Sequence, residues 1–248
     1  SNMSNSHVQT VAVLTQYNAR SLNEHLSSSK WWDFGRKQGG MFLFTPTVTA
    51  ENSDWYRGTA DAMYQNIDFL KRRHEPYVII SSGDCVYKMD YNKVLDYHIA
   101  KKADITVVCK DMPADANINR FGVVRMNEDS RIVEFEEKPI IAQSNTISTG
   151  VYVIRRRQLI EILEKSAEEN RFDFVADVLI RYKNIKRIYG YKTKEYWSNI
   201  ASVDDYYRTN MDFLKQDVRN YFFRQEPKIY SKVDDLPPAK YNIGSEIT

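Results

Sequence analysis

The chain has few cysteines and few histidines. Its 248 residues include two cysteines, Cys85 and Cys109, and four scattered histidines. Two cysteines are too few for a disulfide framework, and no Cys/His cluster has zinc-site spacing, so both thiols are predicted to be reduced and in or near the core. No Ser/His/Asp or Cys/His arrangement supports acyl-transfer chemistry. This cysteine usage favours a cytoplasmic protein.

Long apolar runs and an excess of charge are also absent. No window approaches the roughly 18 uninterrupted apolar residues of a membrane span, and residues 1–10 lack the apolar core of a signal peptide. The net charge of +2 gives no support for a nucleic-acid-binding protein, because recognition of a phosphate backbone usually leaves a strongly basic face. A small phosphorylated ligand remains compatible with it. The 42% of apolar residues is typical of one large globular domain.

Strands and helices alternate over the first 110 residues, in the pattern that builds an α/β fold with a mostly parallel sheet. Beyond them, β-rich runs flank the hairpin turn 127–130, and residues 226–248 carry three of the seven prolines, which indicates a linker. Strands are predicted at 7–16, 42–46, 77–84, 104–110, 147–156, 185–193 and 195–200, and helices at 57–73, 92–103, 158–169, 171–182 and 203–217.

Asp84 follows a buried strand and a glycine. In open α/β sheets ligands bind beyond the carboxyl ends of the strands, and a carboxylate there can hold Mg²⁺ against a phosphate. The alternative is an Asp that caps the turn before the next helix. The residue pattern alone leaves both open.

Three other stretches offer polar groups to a ligand. Gly58 and Thr59 open a predicted helix, where free N–H groups favour an anion or a nucleobase edge, although they can also form a simple N-cap. Glu137 and Lys138 precede a proline and can contact sugar hydroxyls and a phosphate, or can merely charge an edge strand. Asp173 and Glu195, beside aromatic residues, are possible sugar contacts that, taken singly, are more typical of an exposed surface. These alternatives also stay open.

Several motifs occur together in the order found in one enzyme family. They cover nearly the whole chain and resemble the ADP-glucose pyrophosphorylases of bacterial glycogen synthesis. The blocks WYRGTADA and YKMDY favour this branch over the related GDP-mannose, UDP-glucose and dTDP-glucose enzymes. The segments are LTQYNARSLNEHL, WYRGTADAMYQNIDFL, SGDCVYKMDY, FGVVRMNEDSRIVEFEEKP, STGVYVI, DFVADVLI and EYWSNIASVDDYYRTNMDFL.

The resemblance implies a Rossmann-like, GT-A-like nucleotidyltransferase fold, an α/β domain with a mixed sheet flanked by helices, followed in the family by a left-handed β-helix. The implied reaction converts ATP and glucose 1-phosphate into ADP-glucose and pyrophosphate with Mg²⁺. By motif, Asp84 would bind the metal, the glucose 1-phosphate site would comprise Tyr56, Gly122, Glu137, Lys138 and Ser148, and the nucleotide would contact Gln16, Gly58 and Thr59.

The sequence departs from the family in two places. Active members carry an Asp in the block that here reads EYWSNIAS, so that two carboxylates grip one Mg²⁺. This chain has Asn199 there, which brings no charge, and Ala201 and Ser202 replace the following Gly and Thr. The family's glycine-rich phosphate loop also has no counterpart. We therefore expect residues 1–225 to form a nucleotidyltransferase domain that is incomplete at its N terminus, and residues 226–248 to lead toward an absent β-helix.

Loss of a catalytic carboxylate on this scaffold distinguishes the accessory, D-type subunit of the family. The resemblance thus implies a regulatory, non-catalytic or weakly active subunit in an oligomer with a catalytic subunit, with Mg²⁺ acting in the assembled enzyme. ATP, ADP-glucose and glucose 1-phosphate are the expected ligands. Two rival hypotheses stay open. One is an active sugar-1-phosphate nucleotidyltransferase in which Asp84 alone holds the metal, and the other is a module that senses sugar phosphates or nucleotides.

Overall fold

The structure is a computed structural model that describes residues 1–27, 32, 34, 39–46, 55–231, 237, 240, 241 and 243–245. Within these ranges the strands are β1 (Thr10–Leu14), β2 (Gly40–Phe44), β3 (Tyr77–Ser81), β4 (Cys85–Tyr87), β5 (Ile105–Asp111), β6 (Gly122–Met126), β7 (Ile132–Glu137), β8 (Thr146–Arg155), β9 (Ile188–Lys192) and β10 (Trp197–Asn199). The α-helices are α1 (Asn2–Asn5), α2 (Ala19–Ser27), α3 (Thr59–Gln65), α4 (Ile67–Lys71), α5 (Tyr91–Ala100), α6 (Arg156–Glu168), α7 (Val203–Asp212) and α8 (Gln216–Arg219), and two π-helical segments span Val175–Ile180 and Asn220–Arg224.

A six-stranded sheet forms the centre of the fold. Its strands run in the order β7-β6-β8-β5-β9, and β3 also pairs with β8. The long strand β8 organises the sheet, since it is antiparallel to β3, β5 and β6. Nearly every residue of β8 is buried, and its second half, residues 151–154, is continuously apolar, because a strand covered on both faces needs no polar alternation.

Helices cover both faces of this sheet. Ile105 and Val107 of β5 and Ile154 of β8 point to one face, where they pack against α6 and the π-helical segment Val175–Ile180. Val108 and Val153, at the alternate positions of the same strands, point to the other face, where they pack against α5. The implied α/β fold with a mixed sheet flanked by helices is confirmed.

The mostly parallel sheet predicted from the strand and helix alternation is wrong. β1 and β2 are parallel, but they pair with each other in a separate two-stranded sheet. In the central sheet β8 lies between β3 and β5 and is antiparallel to both, so among the described strands of this sheet only β5 and β9 pair in parallel. The alternation of strands and helices along the chain indicates that β3 and β5 run in the same direction. It does not indicate that a later strand, β8, lies between them.

Asn66 interrupts the helix predicted over 57–73. Its side chain donates hydrogen bonds to the carbonyl of Ala62 at 2.9 Å and to the hydroxyl of Tyr56 at 3.1 Å. Such local bonding competes with the helical backbone, which is why asparagine is unfavourable inside helices. The prediction of a single helix is therefore wrong, and α3 and α4 are separate.

Two other predicted helices differ in type or length. The helix predicted over 203–217 ends at Asp212, where the amides of residues 213–215 bond to carbonyls three residues back before α8 begins. The segment predicted as a helix over 171–182 is π-helical over Val175–Ile180.

The thiols of Cys85 and Cys109 are free, as predicted, and Cys109 is buried. None of the helices in the described ranges has the length and apolar character that crossing a bilayer requires.

Candidate functional site

An open cleft with a volume of ≈ 170 Å³ lies where β4, β6, β7, β8 and β10 meet. It contains five positions that the sequence singled out: Asp84, Gly122, Glu137, Ser148 and Asn199. We call Gly122, Glu137 and Ser148 the sheet wall, and Asp84, Cys85 and Asn199 the turn wall. The remaining lining residues are Ser82, Arg120, Phe121, Phe135, Thr149, Gly150, Tyr152, Val175 and Trp197.

Asp84 occupies the turn between β3 and β4. Its carboxylate accepts hydrogen bonds from the Ser82 hydroxyl and, at 3.3 Å, from the Cys85 thiol. The alternative prediction, an Asp that caps its turn, stays open, because the carboxylate bonds to Ser82 within the turn. The element after this turn is a strand and not the predicted helix, and the carboxylate of Asp90 caps α5 by accepting from Asn92 N at 3.0 Å.

The Asp84 carboxyl is held in its ionised form. Burial is the largest influence on its pKa and raises it, but hydrogen bonds from Ser82 and Cys85, with a contribution from Asn199, outweigh burial and leave the pKa below its usual value. At neutral pH the turn wall therefore carries one negative charge. The neighbouring Cys85 thiol stays neutral, since burial and then the nearby Asp84 charge raise its pKa to about 12.

Asn199 is brought beside Asp84 by the antiparallel pairing of β10 with β4, in which Asn199 faces Cys85. The Asn199 Nδ2 donates to the backbone carbonyl of Asp84 at 3.3 Å, and the amide of Ile200 donates to the same carbonyl at 2.7 Å. The two strand ends thus converge, as the resemblance implied. Their joint role at a metal stays a prediction.

The donor set of the turn wall does not by itself fit Mg²⁺. Asp84 supplies one carboxylate and Asn199 an amide whose nitrogen already faces a carbonyl. Across the described residues, no group of three or more His, Cys, Asp or Glu side chains is arranged to hold a metal. Mg²⁺ requires near-octahedral oxygen ligands, so this wall would depend on oxygen atoms from elsewhere.

The sheet wall is fixed by the central sheet. Gly122 and Glu137 are partners in the β6–β7 ladder, and a Cβ at Gly122 would lie 2.8 Å from Phe135 Cε1 and 3.1 Å from Glu137 Oε2. Glycine at this position therefore keeps the cleft open. On β8 the buried Ser148 hydroxyl is within 3.3 Å of the Tyr152 hydroxyl.

Glu137 has an altered acidity. Burial, with a further contribution from the charge of Asp173, raises the pKa of Glu137 against the opposing effect of Lys138. The Lys138 ammonium lies 3.5 Å from the Glu137 carboxylate. Lys138 has left-handed backbone (φ 48°) and is exposed, outside the set of residues that line the cleft. The pair offers one acceptor inside the cleft and one cation at its margin.

The predicted nucleotide contacts lie outside the cleft lining. A Cβ at Gly58 would lie 2.4 Å from the carbonyl oxygen of Phe172, and this carbonyl accepts the amides of Ala60 and Asp61 at 2.8 and 3.1 Å. The Thr59 hydroxyl accepts from Phe174 N at 3.0 Å. The first turn of α3 thus uses these amides internally, which removes part of the argument for an anion there. A nucleotide contact at Gly58 and Thr59 stays a prediction.

The remaining predicted residues are also placed apart from the cleft. The Tyr56 hydroxyl accepts from Asn66, and Gln16 has a buried Oε1 without a hydrogen-bond partner among the described residues. Asp173 and Glu195 are exposed, and Asp173 caps the following π-helical segment by accepting from Val175 N and Ala176 N at 2.8 Å.

Sequence reasoning missed Arg120, the one cationic side chain among the described residues that line the cleft. Its guanidinium forms a two-pronged ion pair with Asp205 in the first turn of α7, at 2.6 and 3.2 Å. The signal was a basic residue two positions before Gly122. Its pairing with a residue 85 positions later left no local pattern.

A central mixed sheet with helices on both faces and a polar cleft beside it are compatible with many α/β enzymes, so the class rests on the family match. Residues 1–216 match the nucleotidyl transferase family, and the chain belongs to that family. A crystal structure described as a glucose-1-phosphate thymidylyltransferase from Bacillus anthracis has the same fold, with a TM-score of 0.67 and 17% identity over 85% of this chain and 78% of that chain.

Within the family, the chain is similar to glucose-1-phosphate adenylyltransferases. It is 40% identical to that of Lachnospira eligens over 241 residues, which are 96% of this chain and 56% of that protein. It is 37% identical to that of Thermosipho melanesiensis, over 96% of this chain and 58% of that protein. It is also 37% identical to that of Bacillus subtilis, over 100% of this chain and 66% of that protein. The chain thus spans roughly three fifths of the length of these relatives.

Proposed function

We propose that this chain belongs to the regulatory subunit of a bacterial glucose-1-phosphate adenylyltransferase. In this proposal it binds glucose 1-phosphate or the sugar nucleotide in its cleft, performs little or no chemistry itself, and modulates a catalytic subunit with which it assembles. Mg²⁺ then acts mainly in the catalytic subunit.

The observation that carries the proposal is Asn199 beside Asp84. The relatives whose names specify adenylyl transfer give the reaction class, and the resemblance gives the carboxylate expected at position 199. Catalysis of phosphoryl transfer depends on positioning and on charge stabilisation by metal ions. A turn wall with a single charge provides weak support for that metal, while the sheet wall keeps the polar groups that would hold a sugar.

A second candidate function is catalysis with Asp84 as the sole protein carboxylate. The position of Asp84 in the cleft lining favours it, because an ionised carboxylate there would be available to a metal held mainly by substrate phosphates. The two candidates differ in what the protein does without a partner.

The test is an assay of the purified full-length protein, alone and after co-expression with a catalytic subunit. We expect no ADP-glucose above background from the protein alone with ATP, glucose 1-phosphate and Mg²⁺. We expect co-purification of the two subunits and a change in the maximal rate or substrate affinity of the catalytic subunit. Steady Mg²⁺-dependent turnover by the protein alone would favour the second candidate, and saturable ligand binding without any association would favour a sensor.

A further inference from the structure

Arg120 and Asp205 form an ion pair at the rim of the cleft. Arg120 belongs to the segment 112–121 between β5 and β6, and Asp205 lies in the first turn of α7, shortly after Asn199. The Arg120 side chain is 44% exposed and the Asp205 side chain 14%. The guanidinium is therefore the accessible partner, and the carboxylate is the enclosed one.

The cleft has an uneven set of charges. Asp84 and Glu137 are acidic, Arg120 is the one cation among the described lining residues, and Lys138 lies at the margin with its ammonium 3.5 Å from Glu137. An anionic ligand that entered this cleft would need a cation, and a guanidinium has the planar two-pronged geometry that suits a phosphate. Asp205 currently holds the guanidinium in that same two-pronged mode.

If another anion replaced Asp205 as the partner of Arg120, both Arg120 and Asp205 would still have interaction partners. The Asp205 carboxylate also accepts from the Ser202 hydroxyl at 2.8 Å, and its position in the first turn of α7 is favourable for a negative charge. Arg120 also stacks over the ring of Phe121 at 5.0 Å. Because a partly exposed ion pair contributes little net free energy, a ligand phosphate can compete with it.

We propose that Arg120 is a phosphate anchor inside the cleft, in addition to the Lys138 ammonium at its margin, and that a sugar phosphate binds by taking the Arg120 guanidinium from Asp205. The hydroxyls of the sugar then face Glu137 and Ser148 on the sheet wall. This inference rests on the proposed function, in which the cleft binds a sugar phosphate, and it identifies the residues that select the phosphorylated form. Asp205 acts as an internal competitor that keeps Arg120 occupied when the cleft is empty.

The test measures binding of glucose 1-phosphate and of glucose to the full-length protein by calorimetry in chelator, so that no metal contributes. The variants are Arg120→Gln, which removes the charge, and Asp205→Asn, which removes the competitor and keeps the shape. Arg125→Gln is the matched control. Arg125 also pairs in two-pronged fashion with a carboxylate, Glu134, on the β6–β7 hairpin, but it does not line the cleft.

The two variants of the rim pair should act in opposite directions. Arg120→Gln should weaken glucose 1-phosphate roughly tenfold to hundredfold, because a charge-assisted hydrogen-bond pair is lost, and should leave glucose binding unchanged. Asp205→Asn should tighten glucose 1-phosphate about two- to fivefold, which is the contribution of the ion pair that no longer competes. Arg125→Gln should match wild type.

Three results would overturn the inference: no binding of glucose 1-phosphate to wild type, unchanged binding to Arg120→Gln, or weaker binding to both rim variants, which would indicate a purely structural clasp. If Arg120→Gln does not fold, as its melting curve would show, the direction of the Asp205→Asn effect still decides. The proposed function is judged separately by turnover and by the effect on the catalytic subunit. If the protein modulates the catalytic subunit but does not bind glucose 1-phosphate, this inference is wrong and the regulatory role stands.

Discussion

The two walls of the cleft are built differently. The sheet wall stands on β6, β7 and β8 of the central sheet, where the ladder fixes the side chains and the core lies behind them. The turn wall stands on β4 and β10, two strands of three residues that pair only with each other among the described residues. A two-stranded sheet has little stability of its own, so the turn wall depends on its surroundings.

In the proposed function, the sheet wall binds the ligand and the turn wall is the part on which catalysis would depend. Gly122, Glu137 and Ser148 are part of the fold, since their strands also form the core. Asp84 and Asn199 meet through a short pairing in which a carboxylate and an amide are nearly the same size, so exchange between Asp and Asn at position 199 would disturb little of the packing. A chain of this family can therefore change the charge beside Asp84 and retain the sheet wall, which the proposed function assigns to the sugar.

The largest expected effect concerns Gly58, a predicted nucleotide contact that lies outside both walls. Gly58→Ala places a Cβ 2.4 Å from the carbonyl oxygen of Phe172 and displaces the acceptor of the Ala60 and Asp61 amides. We expect the free energy of unfolding to fall by roughly 2 to 3 kcal/mol, measured by denaturant unfolding. Gly83→Ala is the control, because a Cβ there meets nothing within 4 Å.

A Gly58→Ala protein as stable as wild type, but unable to bind nucleotide, would contradict the packing role. Gly58 would then be a direct ligand contact. Reduced stability with retained sugar-phosphate binding would instead separate the fold of this region from the cleft.

The sequence predicts those features of the two walls that depend on residues close together in the chain. Short runs rich in β-branched and apolar residues predicted β5 and β8, because burial on both faces leaves a direct trace in composition. The sheet wall lies within two motif segments, so the resemblance alone grouped its residues. Glu137, with its charge and its position before a proline, was also apparent from local chemistry.

Contacts between distant residues were not visible locally. Asp84 and Asn199 are 115 positions apart, and their convergence was expected only through the resemblance. Arg120 and Asp205 are 85 positions apart and no motif linked them. The π-helical form of Val175–Ile180 was missed because its apolar spacing resembles that of an ordinary helix. Strand order and side-chain pairing across the chain are tertiary properties that periodicity does not encode.

The second effect concerns the turn wall. Asn199→Asp places a second carboxylate beside Asp84 and replaces an amide that donates to the Asp84 carbonyl at 3.3 Å. In the full-length protein we expect Mg²⁺-dependent nucleotide binding to tighten by roughly 2 kcal/mol, or one to two decades, after desolvation is subtracted. In chelator the same variant should melt below wild type, because two carboxylates repel.

Titration of Mg²⁺ with nucleotide, and melting curves with and without chelator, measure both parts. The double variant Asp84→Asn/Asn199→Asp is the control, since it restores a single charge and should lose the gain. If Asn199→Asp and Asp84→Asn both leave the Mg²⁺ dependence unchanged, the two residues do not share a metal and the turn wall has only a structural role.

The smallest expected effect concerns the sheet wall and its dependence on pH. Glu137→Gln keeps the shape and removes the charge, so a sugar hydroxyl would donate to a neutral oxygen, and the affinity for glucose 1-phosphate should fall by about 1 kcal/mol, or fivefold. Burial raises the pKa of Glu137 above its ordinary value of 4.5, and protonation removes the charged acceptor. Wild-type affinity should therefore decline as the pH falls through a value above 4.5, whereas the variant should lack this decline. Glu136→Gln, one position earlier on the same strand and directed to the opposite face, is the matched control and should retain the wild-type profile. Identical pH profiles for wild type and Glu137→Gln would show that Glu137 does not hold the sugar, and would remove the main chemical difference between the two walls.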